Sequence, residues 1–311
     1  MFSDQHQNAL LEKFIELPRR CLRLIVMAVL AIAFMSNPSG ASGGDAALIV
    51  SPISAAPGGE IHHGKLVWVD LITTDPKTAA NFYATVFAWQ PQYFPDENYI
   101  ELSHDGRVMS SIVFYEDSKT VEGDARWLVS ISVNDVDEAT RVATENGGEI
   151  FEPATDLPDR GRYSVIGDAQ GAVLMLFRAT GGDPADDPPV LGEWGWAELW
   201  TDDPEEAVSF YQAIVGYDAL RFPDSKGGER IVLGTDGQAR ATIVSLPWDD
   251  VEPNWIPYIP VANAAATLQR IVAAGGGVLM RSRASDGEVA VAIVMDPTGG
   301  VFAIQQAGSD Q

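Results

Sequence analysis

The chain has 311 residues, and its 44 acidic residues outnumber its 20 lysines and arginines to give a net charge of −24. Nucleic-acid binding is therefore not expected, because phosphate backbones are held by clustered basic side chains. The length predicts two domains, and a hydrophobic content of 46% is enough for buried cores. One cysteine and four histidines exclude a disulfide framework and a Cys-rich metal site, and they limit histidine-based metal chemistry.

Residues 1–41 have the layout of a secretory signal. Three arginines precede a 12-residue apolar run at 24–35, and small residues follow it. The run is shorter than the roughly 20 residues that span a bilayer comfortably, so export to a periplasmic or extracellular location is predicted. The alternative is an uncleaved membrane anchor through residues 24–35. Residues 42–63 are rich in Gly, Ala, Ser and Pro and are predicted to be a flexible tether.

Two parts of the chain are similar to each other. Residues 64–89 align without a gap to residues 192–217, with nine identities in 26 positions at an offset of 128. The same offset relates later residues, among them Asp168 and Asp296. A register kept over more than 100 residues indicates a tandem duplication.

The duplication predicts two domains, at 64–180 and 192–307, joined by a linker at 181–191 that is rich in Pro, Gly and Asp. Each copy begins with an alternating pattern typical of a strand, followed by an Asp-Pro helix start. Short strands follow, and the same plan then repeats within the copy. We therefore predict an α+β fold of four βαβββ modules.

These patterns resemble the vicinal oxygen chelate superfamily, which includes glyoxalase I, bleomycin-resistance proteins and extradiol dioxygenases. The matching motifs are W-x-[D/E]-L-x-T-x-D-P-x-x-A-x-x-FY at the start of each copy, V-x-D-V-D-E-A followed by GG, and D-[AP]-x-G before the last strand. The similarity covers about residues 64–306 and is strongest to the two-copy glyoxalase-like branch. It implies two cups in tandem, each built from two modules.

The resemblance also implies a divalent metal inside a cup, held by His or Gln on the first strand of a module and by Glu on a later strand. The corresponding positions in this chain carry Trp68, Glu101, Leu128 and Met175 in the first copy, and Trp196, Val232, Ile256 and Ala303 in the second. Only Glu101 is a possible ligand. No catalytic metal and no other cofactor are therefore expected.

Carboxylates near these positions keep an enzymatic alternative open. Asp70 and Glu198 lie two residues beyond the tryptophans, and hence on the same strand face. Asp70 and Glu101 could pair to bind a hard cation or to act as a general base, as in a metal-dependent lyase, isomerase or dioxygenase of the superfamily. The other interpretation is that Asp70 and Glu198 pair with nearby basic or backbone groups.

Four tryptophans are candidate ligand-binding residues. Trp68 and Trp196 would place aromatic rings where a metal otherwise sits, and Trp127 and Trp255 begin neighbouring strands. We predict that they line a pocket for a small organic molecule, the partner expected for an exported glyoxalase-like protein without a catalytic metal. The remaining alternative is a structural or interaction protein whose cups are filled by these rings.

Arginines near the predicted cup rims are candidates for holding an anionic ligand. They form two close pairs, Arg160 with Arg162 and Arg281 with Arg283. Arg162 is the predicted ligand-binding residue of this group. The pattern leaves open the identity of the ligand, the oligomeric state and whether any reaction is catalysed.

Overall fold

The computed structural model describes residues 51–53, 59–95, 98–115, 125–223, 228–249, 251–284 and 287–308. The predicted signal or anchor at 1–41 and much of the predicted tether lie outside these residues. In the described part of the chain, no helix has the length and apolar character needed to cross a membrane.

The first copy folds as two βαβββ modules in succession. The first module contains β1 (Leu66–Thr73), α1 (Pro76–Phe87), β2 (Gln90–Tyr93), β3 (Tyr99–His104) and β4 (Arg107–Phe114). The second contains β5 (Arg126–Ser132), α2 (Val136–Glu145), β6 (Glu149–Leu157), β7 (Gly161–Gly167) and β8 (Val173–Ala179). The strands form one eight-stranded sheet in the order β2-β3-β4-β1-β5-β8-β7-β6. The two modules meet where β1 and β5 pair antiparallel.

The second copy repeats this arrangement. It contains β9 (Trp196–Thr201), α3 (Pro204–Val215), β10 (Asp218–Pro223), β11 (Glu229–Thr235), β12 (Gln238–Ser245), β13 (Asn254–Val261), α4 (Ala264–Ala273), β14 (Gly277–Arg283), β15 (Val289–Met295) and β16 (Val301–Gln306). Its sheet has the corresponding order, β10-β11-β12-β9-β13-β16-β15-β14. The predicted α+β fold of four βαβββ modules is thereby confirmed.

The helix starts follow from the Asp-Pro pairs seen in the sequence. Asp75 caps α1, where its side chain accepts a hydrogen bond from the backbone N–H of Thr78 at 3.1 Å. Asp203 caps α3 in the same way. The proline after each aspartate occupies a first-turn position whose N–H would have no helical partner. These caps fix where each helix begins beside its sheet.

Each sheet has two different faces, as the period-two alternation of a strand requires. On β1, Val69 and Leu71 belong to an apolar core that contains the helices and joins both copies. Trp68 and Ile72 belong instead to a separate cluster on the opposite, concave face. We call the concave face of the first sheet the first cup and that of the second sheet the second cup. The helices therefore lie away from the cups, which leaves the cups to hold a site.

Duplicated residues link the two copies across the shared core. Tyr83 of the first copy donates a hydrogen bond to Asp296 Oδ2 of the second at 2.8 Å and accepts one from Trp127 Nε1 at 3.1 Å. The equivalent residues make the reciprocal contacts: Tyr211 donates to Asp168 at 3.0 Å and accepts from Trp255 at 2.9 Å. Each copy thus completes a hydrogen-bond chain that begins in the other.

The linker is held against both copies. Asp183 accepts hydrogen bonds from the backbone N–H of His62 at 2.7 Å and from Ser132 Oγ at 2.5 Å. Asp186 is 2.5 Å from Arg240 Nη1 of the second copy, and this hydrogen bond is the main cause that lowers the pKa of Asp186 to about 2. The described end of the predicted tether, residues 59–63, is therefore attached to the linker.

Candidate functional site

Two buried carboxylates lie on the concave face of the first sheet. The strand register pairs Asp70 with Ser111 and Ser111 with Glu101, so one strand separates the two acids. At about 4.8 Å per strand, their Cα atoms are about 10 Å apart. Asp70 Oδ1 accepts hydrogen bonds from Trp68 Nε1 at 2.8 Å and from Ser111 Oγ. The two acids share a face, as predicted, but Asp70 has partners of its own.

Arg160 is a buried cation of the first cup. It lies in the turn between β6 and β7, is only 4% exposed, and places its guanidinium carbon 4.1 Å from the centroid of the Trp68 ring. Its Nη1 donates to Tyr99 Oη at 3.1 Å. A guanidinium over an indole face is a favourable cation–π arrangement, and its strength increases when water is excluded. Arg160 thereby orients the ring of Trp68.

A small cavity lies beside this arginine. It is lined by Ile53, Trp68, Asp70, Ser130, Leu157, Arg160, Tyr163, Met175 and Phe177. Its volume is about 20 Å³, which is enough for one water molecule. The lining combines large apolar side chains with one acid, one cation and two hydroxyl groups, a composition typical of small-molecule sites.

Three polar groups on this lining have no hydrogen-bond partner among the described residues. They are Arg160 Nη2, Ser130 Oγ and Tyr163 Oη, and all three atoms are buried. Burial raises the pKa of Tyr163, so its phenol stays protonated and can donate. Buried polar atoms are nearly always paired in folded proteins, and leaving one unpaired costs about 1–3 kcal/mol. Three such atoms around one cavity indicate that a polar partner belongs there.

Residues 51–53, which we call the strap, pack against residues of the first cup. The backbone N–H of Ser51 donates to Glu101 Oε1 at 2.7 Å, and Ser51 Oγ donates to Glu101 Oε2 at 2.7 Å. Ile53 is 6% exposed and belongs to the same apolar cluster as Trp68. Both carboxylate oxygens of Glu101 are therefore engaged by one residue of the chain itself.

The second cup has a different interior. Glu198 Oε1 accepts hydrogen bonds from Trp200 Nε1 at 3.0 Å and from Tyr258 Oη at 2.8 Å, while Arg230 Nη2 lies 3.8 Å from its other oxygen. Trp196, predicted to bind a ligand, is partly buried and donates to Thr242 Oγ1 at 3.0 Å. This arrangement matches the interpretation from the sequence in which Glu198 pairs with nearby groups.

The structure places three predicted ligand-binding residues outside the cups. Trp127 and Trp255 belong to the core shared with the helices, where they donate to Tyr83 and Tyr211. Their indoles are on the face of β5 and β13 opposite to the cups. Successive side chains of a strand point to alternate faces of the sheet, so a residue next to a cup residue on the strand faces away from the cup. Arg162 pairs at the surface with Asp137 and Asp156, at 2.7 and 2.8 Å. These three assignments are corrected accordingly.

The sequence prediction selected Arg162 instead of Arg160 and did not identify Ser130, Tyr163 or Ser51. Arg160 and Arg162 are two residues apart, and a turn separates them, so simple alternation does not tell which of them faces the cup. Tyr163 and Ser130 do have a signal in retrospect. They sit on strands at positions whose parity matches that of other concave-face residues, namely Val165 on β7 and Leu128 on β5.

The residues of the cups do not fit the metal that the resemblance implies. Within the described residues, no group of three or more His, Cys, Asp or Glu side chains is arranged to hold an ion. The register confirms that Val232 is the counterpart of Glu101. Glu101 pairs with Ser111, the strand neighbour of Asp70, and Val232 pairs with Thr242, the strand neighbour of Glu198. Hard divalent cations need several oxygen or nitrogen ligands, and Glu101 is the only one at the implied positions.

The Asp70 carboxyl group predicts a pH dependence of stability. Burial is the main cause that raises its pKa, and Arg160, Ser111 and Trp68 oppose that rise. The carboxyl group has a pKa of about 4 in the unfolded chain and a higher pKa in the folded chain. Its contribution to stability is therefore lost as pH increases from about 4 through the folded-state pKa. Asn at this position keeps an oxygen acceptor without the charge. We expect the stability of Asp70→Asn relative to wild type to increase between pH 4 and pH 7, measured by urea unfolding.

The control for this measurement has the opposite sign. A hydrogen bond from Arg162 is the main cause that lowers the pKa of the exposed Asp137. Asp137→Asn should therefore lose stability relative to wild type as pH rises toward the unfolded pKa of about 4, and the difference should be constant above about pH 5. A pH-independent difference for Asp70→Asn would show that the carboxyl is not perturbed by burial.

Comparisons with known proteins agree with this fold. The profile of the Glyoxalase/Bleomycin resistance protein/Dioxygenase superfamily matches residues 65–176. A protein named "Putative glyoxylase CFP32" from Mycobacterium tuberculosis is 29% identical over 256 residues, covering 81% of this chain and 98% of its own. Anthracycline biosynthesis protein DauV from Streptomyces sp. strain C5 is 26% identical over 273 residues, covering 78% of this chain and 92% of its own.

Two solved structures share the architecture at low sequence identity. The Mn(II)-bound glyoxalase from Novosphingobium aromaticivorans superposes with a TM-score of 0.56 at 14% identity, over 78% of this chain and 82% of its own. The 2,2',3-trihydroxybiphenyl 1,2-dioxygenase from Sphingomonas wittichii strain RW1 gives 0.54 at 12% identity, over 80% and 92%. At these identities the likeness concerns the fold.

The paired βαβββ modules and their concave sheets define a vicinal oxygen chelate fold. The family model of the Glyoxalase/Bleomycin resistance protein/Dioxygenase superfamily matches the first copy at residues 65–176, and the second copy has the same topology. The resemblance seen in the sequence motifs is thereby confirmed. The family fixes the scaffold, and the chemistry has to be argued from the residues in the cups.

Proposed function

We propose that the first cup binds a small organic molecule beside Trp68, without a resident metal. The observation that carries this proposal is the cavity lined by Arg160, Ser130 and Tyr163, whose Nη2, Oγ and Oη atoms have no partners among the described residues. A ligand with a polar end would satisfy these atoms and would leave its apolar part against Trp68 and Phe177. The second cup has Val232 in place of Glu101 and is not assigned this role.

The charges in the cup favour a particular polar end. The Arg160 guanidinium has donors only, so its free Nη2 calls for an acceptor oxygen on the ligand. Asp70, Glu101 and Glu152 are buried on the concave face, where the strand register also places Arg126 opposite Ile72, so three acids face two arginines. A carboxylate on the ligand would add a fourth acid. An uncharged carbonyl oxygen is therefore a better partner for Arg160 than the anionic group considered from the sequence.

A metal-dependent enzyme is the alternative function. Relatives named as a glyoxylase, an Mn(II)-bound glyoxalase and a dioxygenase motivate it, as does the presence of Asp70 and Glu101 on one face. It is less favoured, because Ser51 occupies both oxygens of Glu101 and because Trp68 and Ser111 occupy one oxygen of Asp70. The relative named for anthracycline biosynthesis accords with an organic ligand.

Export belongs to this proposal and rests on the sequence alone. Residues 1–41 have the order of positive charge, short apolar run and small residues that secretory signals share. Removal of this segment would also remove Cys21, the single cysteine of the chain. The alternative of an anchor through residues 24–35 would leave the same cup on the same folded domain, so both versions predict the same ligand chemistry.

Titration with two probes of similar size tests the proposal. Acetophenone offers a carbonyl acceptor beside a flat ring, and ethylbenzene offers the ring alone. We expect acetophenone to bind at one site with at least tenfold higher affinity, because its oxygen would pair with Arg160 and ethylbenzene would leave that donor unmet. Calorimetry, with tryptophan fluorescence as a second readout, measures both affinities. Equal affinities, or no binding of either probe, would contradict the proposal.

A further inference from the structure

The cavity in the first cup as folded is too small for an organic molecule, and the strap contributes to its wall. The cavity beside Arg160 has room for one water molecule, and Ile53 forms part of its wall. Ile53 reaches this place from a segment outside both sheets, whereas the other lining residues lie on strands of the first sheet or on the turn after β6. Withdrawal of Ile53 would enlarge the cavity without rearranging either sheet.

The strap also satisfies the acid at the cup mouth. Ser51 donates its N–H to one oxygen of Glu101 and its hydroxyl to the other, both at 2.7 Å. Glu101 is 1% exposed, so its carboxylate would be costly to leave without donors. The strap therefore makes the two kinds of contact that a bound molecule would make, one polar contact with Glu101 and one apolar contact within the cluster that contains Trp68.

We propose that the strap is a displaceable occupant of the first cup, and that the molecule bound there takes the places of Ser51 and Ile53. This inference rests on the proposed function of the cup. The strap and the ligand then compete for the cup. The apparent affinity of the ligand equals its intrinsic affinity multiplied by the fraction of molecules whose strap is out of the cup. Weakening the strap then strengthens binding without any new contact to the ligand.

The contacts of the strap define the chemical class of its competitor. The donors of Ser51 are a nitrogen and an oxygen on adjacent carbon atoms, and each meets one oxygen of Glu101. A free molecule with the same pattern is a 1,2-amino alcohol, whose ammonium group also suits a cup in which the acids outnumber the arginines. An aliphatic substituent on that molecule would fill the place of Ile53. A complete ligand would carry this group at Glu101 and an acceptor oxygen at Arg160.

Leucinol is a probe that has both the amino alcohol and a branched aliphatic group, and 3-methylbutylamine is its counterpart without the hydroxymethyl group. Calorimetric titrations compare the wild-type chain with the double variant Ser51→Ala/Ile53→Ala. We expect the double variant to bind leucinol at least tenfold more tightly than wild type, and to bind 3-methylbutylamine at least tenfold more weakly than leucinol. Adding Glu101→Gln to the double variant should remove at least tenfold of the leucinol affinity.

Two controls keep the result interpretable. Ile150→Ala removes an isoleucine that is 42% exposed on the edge strand β6 and should leave leucinol affinity unchanged. Hydrogen exchange of the wild-type chain provides a readout without substitution, since leucinol should accelerate exchange of the Ser51 amide as the strap leaves Glu101.

Equal leucinol affinities of wild type and the double variant, or an unchanged rate for the Ser51 amide at saturating leucinol, would overturn the strap proposal. If acetophenone still binds wild type in preference to ethylbenzene, the proposed function survives that failure. If neither leucinol nor acetophenone binds any of these chains, both proposals fail together.

Discussion

Replacement of Tyr83 by phenylalanine is expected to lower the free energy of unfolding by about 2–4 kcal/mol. The hydroxyl group of Tyr83 donates to Asp296 and accepts from Trp127, and all three side chains are buried. Its loss removes a hydrogen bond to a carboxylate and leaves the indole N–H of Trp127 without an acceptor. A charged acceptor and an unpaired buried donor each carry a cost of this order. Urea unfolding of the purified chain measures the change.

The duplication supplies a matched variant for this measurement. Tyr211→Phe breaks the reciprocal contacts with Asp168 and Trp255 and should cost a similar amount. Tyr93→Phe changes a side chain that is 43% exposed and should cost less than about 0.5 kcal/mol. A Tyr83→Phe variant as stable as Tyr93→Phe would show that the link between the copies adds nothing to stability.

Replacement of Arg160 by methionine is expected to weaken acetophenone binding by about 10- to 150-fold. Methionine has a similar length and can still pack on Trp68, but it has no donor for the carbonyl oxygen. A hydrogen bond between a charged group and an oxygen is worth about 1.5–3 kcal/mol, which corresponds to this range. Calorimetry at pH 7 measures the affinity, and urea unfolding shows whether the variant is folded.

Arg162→Met is the control that separates the site from its surroundings. Arg162 lies two residues away and pairs with Asp137 and Asp156 at the surface. Its replacement removes the same charge from the same segment, so a general electrostatic effect would appear in both variants. We expect Arg162→Met to change acetophenone affinity by less than about twofold, because exposed ion pairs contribute little. Similar losses in the two variants would show that Arg160 does not contact the ligand.

Much of the fold could be predicted because local signals and the duplication agreed. The Asp-Pro pairs predicted two of the helix starts, and Asp75 and Asp203 cap those helices. Gly-Gly pairs are typical of helix ends, and Gly147 and Gly275 do have positive φ angles. The second glycine of a pair has another reason, which the sequence does not show: a Cβ atom on Gly148 would lie 2.8 Å from the carbonyl oxygen of Gly167. Such an approach depends on tertiary packing.

The candidate site could be predicted only in part. Trp68, Asp70 and Glu101 were found because strand alternation and the family positions both indicate the concave face. Trp127 was assigned to that face although it belongs to the core of the helices. Ser51 was out of reach, because it contacts Glu101 across 50 positions of the chain and no periodic pattern connects them. Contacts between a strand and a distant segment are set by packing alone.

Glu101 shows how the chemistry of a shared position depends on its neighbours. The resemblance made it the single surviving metal ligand, and the structure surrounds it with donors from Ser51 instead. A carboxylate with both oxygens occupied by N–H and O–H donors is a hydrogen-bond acceptor for organic groups. The same side chain on the same fold is thus suited to organic donors in place of a cation.

The most direct test of a metal-free organic site is to measure metal content and acetophenone binding on one sample of the wild-type chain. The protein is exposed to Mn, Fe, Co, Ni and Zn, dialysed, and divided into portions with and without a chelator. Mass spectrometry should find well under one equivalent of any metal, and calorimetry should give the same acetophenone affinity for both portions. Stoichiometric metal that is lost in Glu101→Ala, together with binding abolished by the chelator, would contradict the account.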